Sequence, residues 1–174
     1  MGATRKKQRT DAHRAAAYRE AGHAVAAWDG AVLLMPVSIF ANGRGAGRNV
    51  WNHALRNVDF DWIRSADSRR LVERLATVVI AGVVAQRIFA GKEPRDAVCK
   101  KRIAEAGRLL EAIPGATGGR KVRLEGVEAR VRRFFARKEV RRAVTALGER
   151  LLEAGTLAGH EAEEIIERHM SPGR

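Results

Sequence analysis

Glu20 and His23 stand three residues apart in the stretch AAAYREAGHAVAAW, residues 15–28. On a helix that spacing projects both side chains from neighbouring positions of one face. A glutamate followed three residues later by a histidine is the second half of the H-E-x-x-H arrangement. There two histidines bind zinc and the glutamate acts as general base on metal-bound water. The first histidine would fall four residues before His23, and that position is Arg19. A guanidinium stays protonated and has no lone pair to give a metal. At about 4 Å from a dication, with an effective dielectric near 20, it costs about 8 kcal/mol.

Several outcomes stay open for these residues. Arg19 replaces the metal electrostatically, its fork pairing with Glu20 or with a distal carboxylate. Alternatively it carries its head out to solvent as a surface charge, leaving water or another side chain to complete a zinc shell around His23. His23 can also be an ordinary core histidine with one hydrogen bond. E-x-x-H alone arises often by chance, so the surrounding elements must decide.

The element that carries the triad is a helix capped at Thr10 or Asp11 and stopped near Trp28 by Asp29-Gly30. Residues 1–9 read as a disordered basic tail ahead of a domain over 10–170. Val37, Ile39 and then Val50, Trp51 are short β-type runs around the glycine-rich NGRGAG, which predicts a small hairpin. Phe60 and Trp62 follow as aromatic anchors in a loop.

A long helix spans about Ser68 to Ala90, apolar on all sides at its centre and stopped by Gly91, so it is expected to be the most buried element. Further helices are predicted at about 95–113, 125–136, 139–154 and 160–169, with PGATGG as the break after the first of these. The fold class is mainly α with one small β-hairpin.

With 174 residues and 45% hydrophobic composition, the chain suits one globular domain without disulfides; Cys99 is its single cysteine. The longest apolar run, Leu75 to Ala85, is eleven residues, against about 20 for a bilayer span. No leader-like segment opens the sequence. The expected location is cytoplasmic, with no transmembrane segment.

Thirty-three Lys and Arg against twenty Asp and Glu leave a net charge of +13. That balance favours polyanionic partners. Much of it is Arg scattered along helices that also carry Glu, and no nucleic-acid motif with interleaved aromatics is visible. RVRRFFARKEVRR either faces nucleic acid or lipid, or is anchored to the core by Phe134 and Phe135. His13 lies too far along the first helix to replace the missing ligand. His160, Glu164 and His169 have metal-like spacing on a Glu-rich helix and read as a solvated face.

The longer string AYREAGHAVAAW resembles the AYHEAGHAVVA signature of the FtsH-type zinc metallopeptidase domain, with Arg19 in place of its first histidine. VSIFANGRGAGRNVW resembles that family's strand pair. LATVVIAGVVAQRIFAG resembles its LAGRAAEEVFFG segment, and ALGERLLEAGTLAGHEAEEII its C-terminal LLEKETLDGEEI. The resemblance runs over about residues 10–169 in the family's order.

It implies an FtsH peptidase-like helical fold and a zinc held by two histidines and a distal aspartate. It also implies proteolysis driven by an AAA ATPase module. Glu20 matches the general base, His23 the second histidine, and Asp96 the distal aspartate. Gln86 stands where the family writes the first glutamate of AEE, and GKEPRD replaces GASND ahead of the aspartate. No G-x-x-x-x-G-K-[ST] loop occurs in the sequence, so any ATPase would act in trans.

The expectation is a stand-alone relative of the peptidase domain with a degenerate zinc site, zinc weakly held or absent, and little or no proteolysis. Its partner would be a peptide or protein segment. The alternatives are an active zinc metalloendopeptidase with Glu20 as general base, and a basic nucleic-acid-associated protein.

Overall fold

A run of small side chains decides how the helices assemble. The computed structural model describes residues 2–32, 34–40, 66–91, 97–113 and 119–171. In it the first helix, α1 (Gly2–Asp29), begins ahead of Thr10 and Asp11, where the caps in the sequence start it. Lys, Arg and Gln in that stretch are good helix formers. From Ala17 to Ala27 every residue of α1 is buried. Six of those eleven are alanine or glycine, so neighbouring helices approach the backbone from more than one side.

Two helices do so. The second, α2 (Ala66–Ala90), packs along α1 more extensively than any other pair, and its segment Val78–Gln86 is buried throughout, as its all-round apolar centre predicts. At the crossing, a Cβ on Gly22 would overlap the Ala85 methyl and sit 3.0 Å from the Ala81 carbonyl oxygen. Only glycine allows that approach. From another direction α5 (Lys138–Ala154) packs on α1, with Gly148 against the Tyr18 ring, and Val140, Ala143, Val144, Leu147 and Leu151 of α5 are buried.

The remaining helices, α3 (Ala97–Glu111) and α4 (Arg120–Ala136), pack against α2 and each other, and α6 (Gly159–Met170) packs on α5. α4 runs into α5 through Arg137 alone, whose extended backbone (φ −65°, ψ 135°) breaks the helix into a corner. Gly155, with φ 74°, stops α5, a left-handed conformation that favours glycine.

Among the described residues the architecture is thus six helices and one two-stranded antiparallel sheet. The sheet joins distant segments. β1 (Val37–Ser38) pairs with β2 (Thr156–Leu157), Val37 opposite Leu157 and Ser38 opposite Thr156. The Ser38 and Thr156 hydroxyls hydrogen-bond at 2.7 Å. The strand expected at Val50 and Trp51, and the anchors Phe60 and Trp62, lie outside the described residues. No helix among the described residues is long and apolar enough to cross a membrane.

Candidate functional site

Because α1 is enclosed at residues 17–27, its three candidate residues are driven inward. Arg19, Glu20 and His23 are 4%, 1% and 2% exposed. This corrects the reading of Arg19 as a surface charge on an amphipathic helix: at this turn α1 has no outward face. A buried guanidinium must be paired to be tolerated. Its Nε donates to Glu20 Oε1 at 3.3 Å, and its Nη1 donates to Gln86 Oε1 at 3.1 Å. Consecutive residues on a helix do not face each other, so the long arginine stem must fold back to reach its neighbour. The Gln86 oxygen also accepts from the Cys99 thiol at 3.4 Å. One amide oxygen therefore ties α1, α2 and α3 together.

His23 is held on the same α1–α2 seam. Its Nδ1–H donates to the Val78 carbonyl at 2.8 Å, which fixes the tautomer and leaves the lone pair on Nε2. That nitrogen is buried and has no hydrogen-bond partner among the described residues. The ring lies over Gly82, where any Cβ would collide with Nε2 and Cε1. Burial pushes the His23 pKa down to about 3, with the charge of Arg102 lowering it further, the bond to Val78 opposing, and Arg19 adding a smaller depression. The imidazole is neutral at ordinary pH.

Arg102 completes the surroundings from α3. It is 8% exposed and donates to Glu105 at 3.0 Å. No motif marks Arg102 in the sequence, although its position carries a signal. Cys99, Arg102, Ala106 and Leu109 follow one helical stripe, so position 102 belongs to the core face of its helix.

The remaining candidates fall elsewhere. Asp96 lies outside the described residues. Cys99 is a buried free thiol. His13 meets the Phe40 ring edge-on at 6.1 Å, away from His23. His160 and Glu164 are exposed and His169 half-buried on α6, in keeping with a solvated face. Among the described residues no group of three or more His, Cys, Asp and Glu comes together as a metal site.

A cavity of about 420 Å³ opens at the end of α1, one turn beyond His23. Ala26 and Asp29 of α1, with Arg70, Glu73, Arg74 and Thr77 of α2, line it. It offers charges of both signs beside the backbone that holds the His23 ring. No protein-family model and no curated protein matches the chain.

Proposed function

We propose that this chain is a non-proteolytic relative of the FtsH-type zinc peptidase domain, in which an arginine does the metal's electrostatic work and the fold serves to bind peptide segments. The observation that carries the reading is the Arg19 guanidinium, buried at the first-ligand position and bonded to Glu20 and Gln86. In a zinc peptidase the glutamate must be free to take a proton from metal-bound water. Here its carboxylate faces a permanent cation instead.

His23 keeps one mark of a ligand. A metal-binding histidine donates its second ring nitrogen to a carbonyl or carboxylate, and the Nδ1 bond to Val78 leaves Nε2 in the ligand state. One nitrogen does not make a zinc site, which takes three protein donors when catalytic and four when structural. A guanidinium beside it repels a dication, and an amide oxygen that already accepts from Arg19 and Cys99 is a poor further donor. These donors fit zinc poorly.

The cavity beyond His23 supports the peptide-binding half of the proposal. A peptide carries amide donors and acceptors together with charges of either sign. The arginines and acids of the lining match that mixture better than they match an apolar ligand.

Elemental analysis of the protein purified without chelators tests the metal half; far less than one zinc per chain is expected. Fluorescence anisotropy with an unfolded, carboxymethylated polypeptide tests the binding half; chelator-insensitive binding without cleavage is expected. Stoichiometric zinc together with cleavage of that polypeptide would refute the reading. In that case the active metalloendopeptidase, with Glu20 as general base, would be the correct one.

A further inference from the structure

A second feature lies away from the buried cluster. Tyr18 stacks on Phe89 with ring centroids 5.8 Å apart and planes 14° apart. Phe89 meets Phe135 edge-on at 6.1 Å, and Phe135 lies 5.4 Å from Phe134. Three guanidiniums rest on this aromatic array. Arg14 lies 5.2 Å from the Tyr18 centroid, Arg141 5.5 Å from that of Phe89, and Arg137 5.6 Å from that of Phe134. They come from α1, from α5 and from the corner between α4 and α5. Stacking restricts each long side chain while leaving the cation at the surface.

Beside Arg141, the side chains of Lys138 and Arg142 line a shallow groove of about 400 Å³ between α5 and α6. Lys138 and Arg142 are exposed and have no ion-pair partner among the described residues. Two acids temper the field. Glu149 lines the groove, and Glu139 is held by Arg137 at 2.7 Å and also lies in the field of Arg142. The cations remain in excess on a chain with a net charge of +13.

From this convergence we propose that the face built by Arg14, Arg137, Lys138, Arg141 and Arg142 binds the phosphate backbone of nucleic acid. Unpaired cations release counterions on meeting a polyphosphate, and stacked arginines lose little freedom when they do so. A lipid bilayer is the poorer match. Membrane-lying helices set large apolar side chains beside their basic ones, and none lines the groove or is exposed between residues 136 and 142, where Val140 is turned into the core. The contacts are to backbone phosphate, so the binding is independent of sequence.

The test uses the full chain, short duplex DNA and single-stranded RNA of arbitrary sequence, and vesicles rich in phosphatidylserine. One variant combines Arg14→Gln, Lys138→Gln and Arg142→Gln. A control removes the same charge from α3 through Lys100→Gln, Lys101→Gln and Arg108→Gln, all exposed. Nucleic acid should bind the wild type, the slope of log affinity against log salt falling by about 0.9 for each cation removed from the face. The face variant should lose about tenfold or more, and the α3 control much less. Circular-dichroism melts confirm that both variants are folded, and the exchange Lys138→Arg with Arg142→Lys should keep the binding. Equal losses in the two triple variants, unaltered affinity in the face variant, or binding to vesicles without binding to nucleic acid would each overturn the proposal.

Discussion

Arg19 and Arg142 are the same side chain in opposite surroundings. Arg19 is 4% exposed, bonded within its own helix to Glu20 and across to Gln86. Arg142 is exposed on α5, facing a groove, with no ion-pair partner among the described residues. In the interior a charge has no water to fall back on, so its partners determine whether the fold holds at all. At the surface, water and salt screen it, and its contribution to stability is small. What it adds there is a field that a polyanion can read. The cations described in this chain are therefore of two kinds: buried charges whose loss is costly, and surface charges that water and salt screen.

The sharpest way to break this contrast is to remove one half of the buried pair. Arg19→Leu removes the guanidinium that the buried Glu20 carboxyl is bonded to, and should cost about 3–5 kcal/mol in urea unfolding. Replacing both, Arg19→Leu with Glu20→Leu, should recover much of that loss, because a buried pair exchanged for apolar groups is often nearly neutral. Lys138→Gln on the surface should move stability by no more than about 0.5 kcal/mol. If Arg19→Leu cost no more than Lys138→Gln, the buried pair would have no structural weight.

Next in size is the helix crossing. A methyl at position 82 meets the His23 ring, so Gly82→Ala should destabilise by about 1–3 kcal/mol through overpacking, read from the shift of the denaturation midpoint. The exposed Gly126 has nothing near its Cβ position, and Gly126→Ala in α4 should instead stabilise slightly, by about 0.5–1 kcal/mol. Equal effects at the two glycines would mean that α1 and α2 do not meet as described.

The third effect depends on pH. The His23 pKa is about 3 in the folded chain against an ordinary value of 6.5. Between those values the unfolded state binds the proton and the folded state does not, so stability is complete above the unfolded pKa and is lost as pH falls. From about pH 7 to about pH 5 this amounts to about 2 kcal/mol. His23→Asn, whose side-chain amide can still donate to Val78, should flatten that slope in urea unfolding at the two pH values. An unchanged slope would assign the acid sensitivity to other groups.

Much of the helical framework was legible because its signals are local. Gly91 and Gly155 stand where chains leave helices, and the apolar centre of α2 showed that it would be buried. The caps at Thr10 and Asp11 misplaced the start of α1, since good helix formers carry it on to Gly2. Of the site, Glu20 and His23 could be found from spacing, and Gln86 and Cys99 could be noted but not joined. Their meeting at one amide oxygen depends on how α1, α2 and α3 cross. Arg102 left a trace in the stripe of α3, yet nothing in that stripe says that its charge acts on His23.

The amino-acid sequence by itself determined that an arginine, a glutamate and a histidine share one helix, that cations outnumber acids, and that the chain is mostly helical. These follow from residue type and from periodicities of a few residues. Tertiary structure alone decided that α2 and α5 enclose α1 and turn Arg19 inward. It also decided that Val37 pairs with Leu157, far along the chain, and that Arg14 and Arg141 converge on Tyr18 and Phe89. The physical reason is range: caps and helical stripes act between neighbours, whereas burial and charge pairing depend on which distant surfaces close over a side chain.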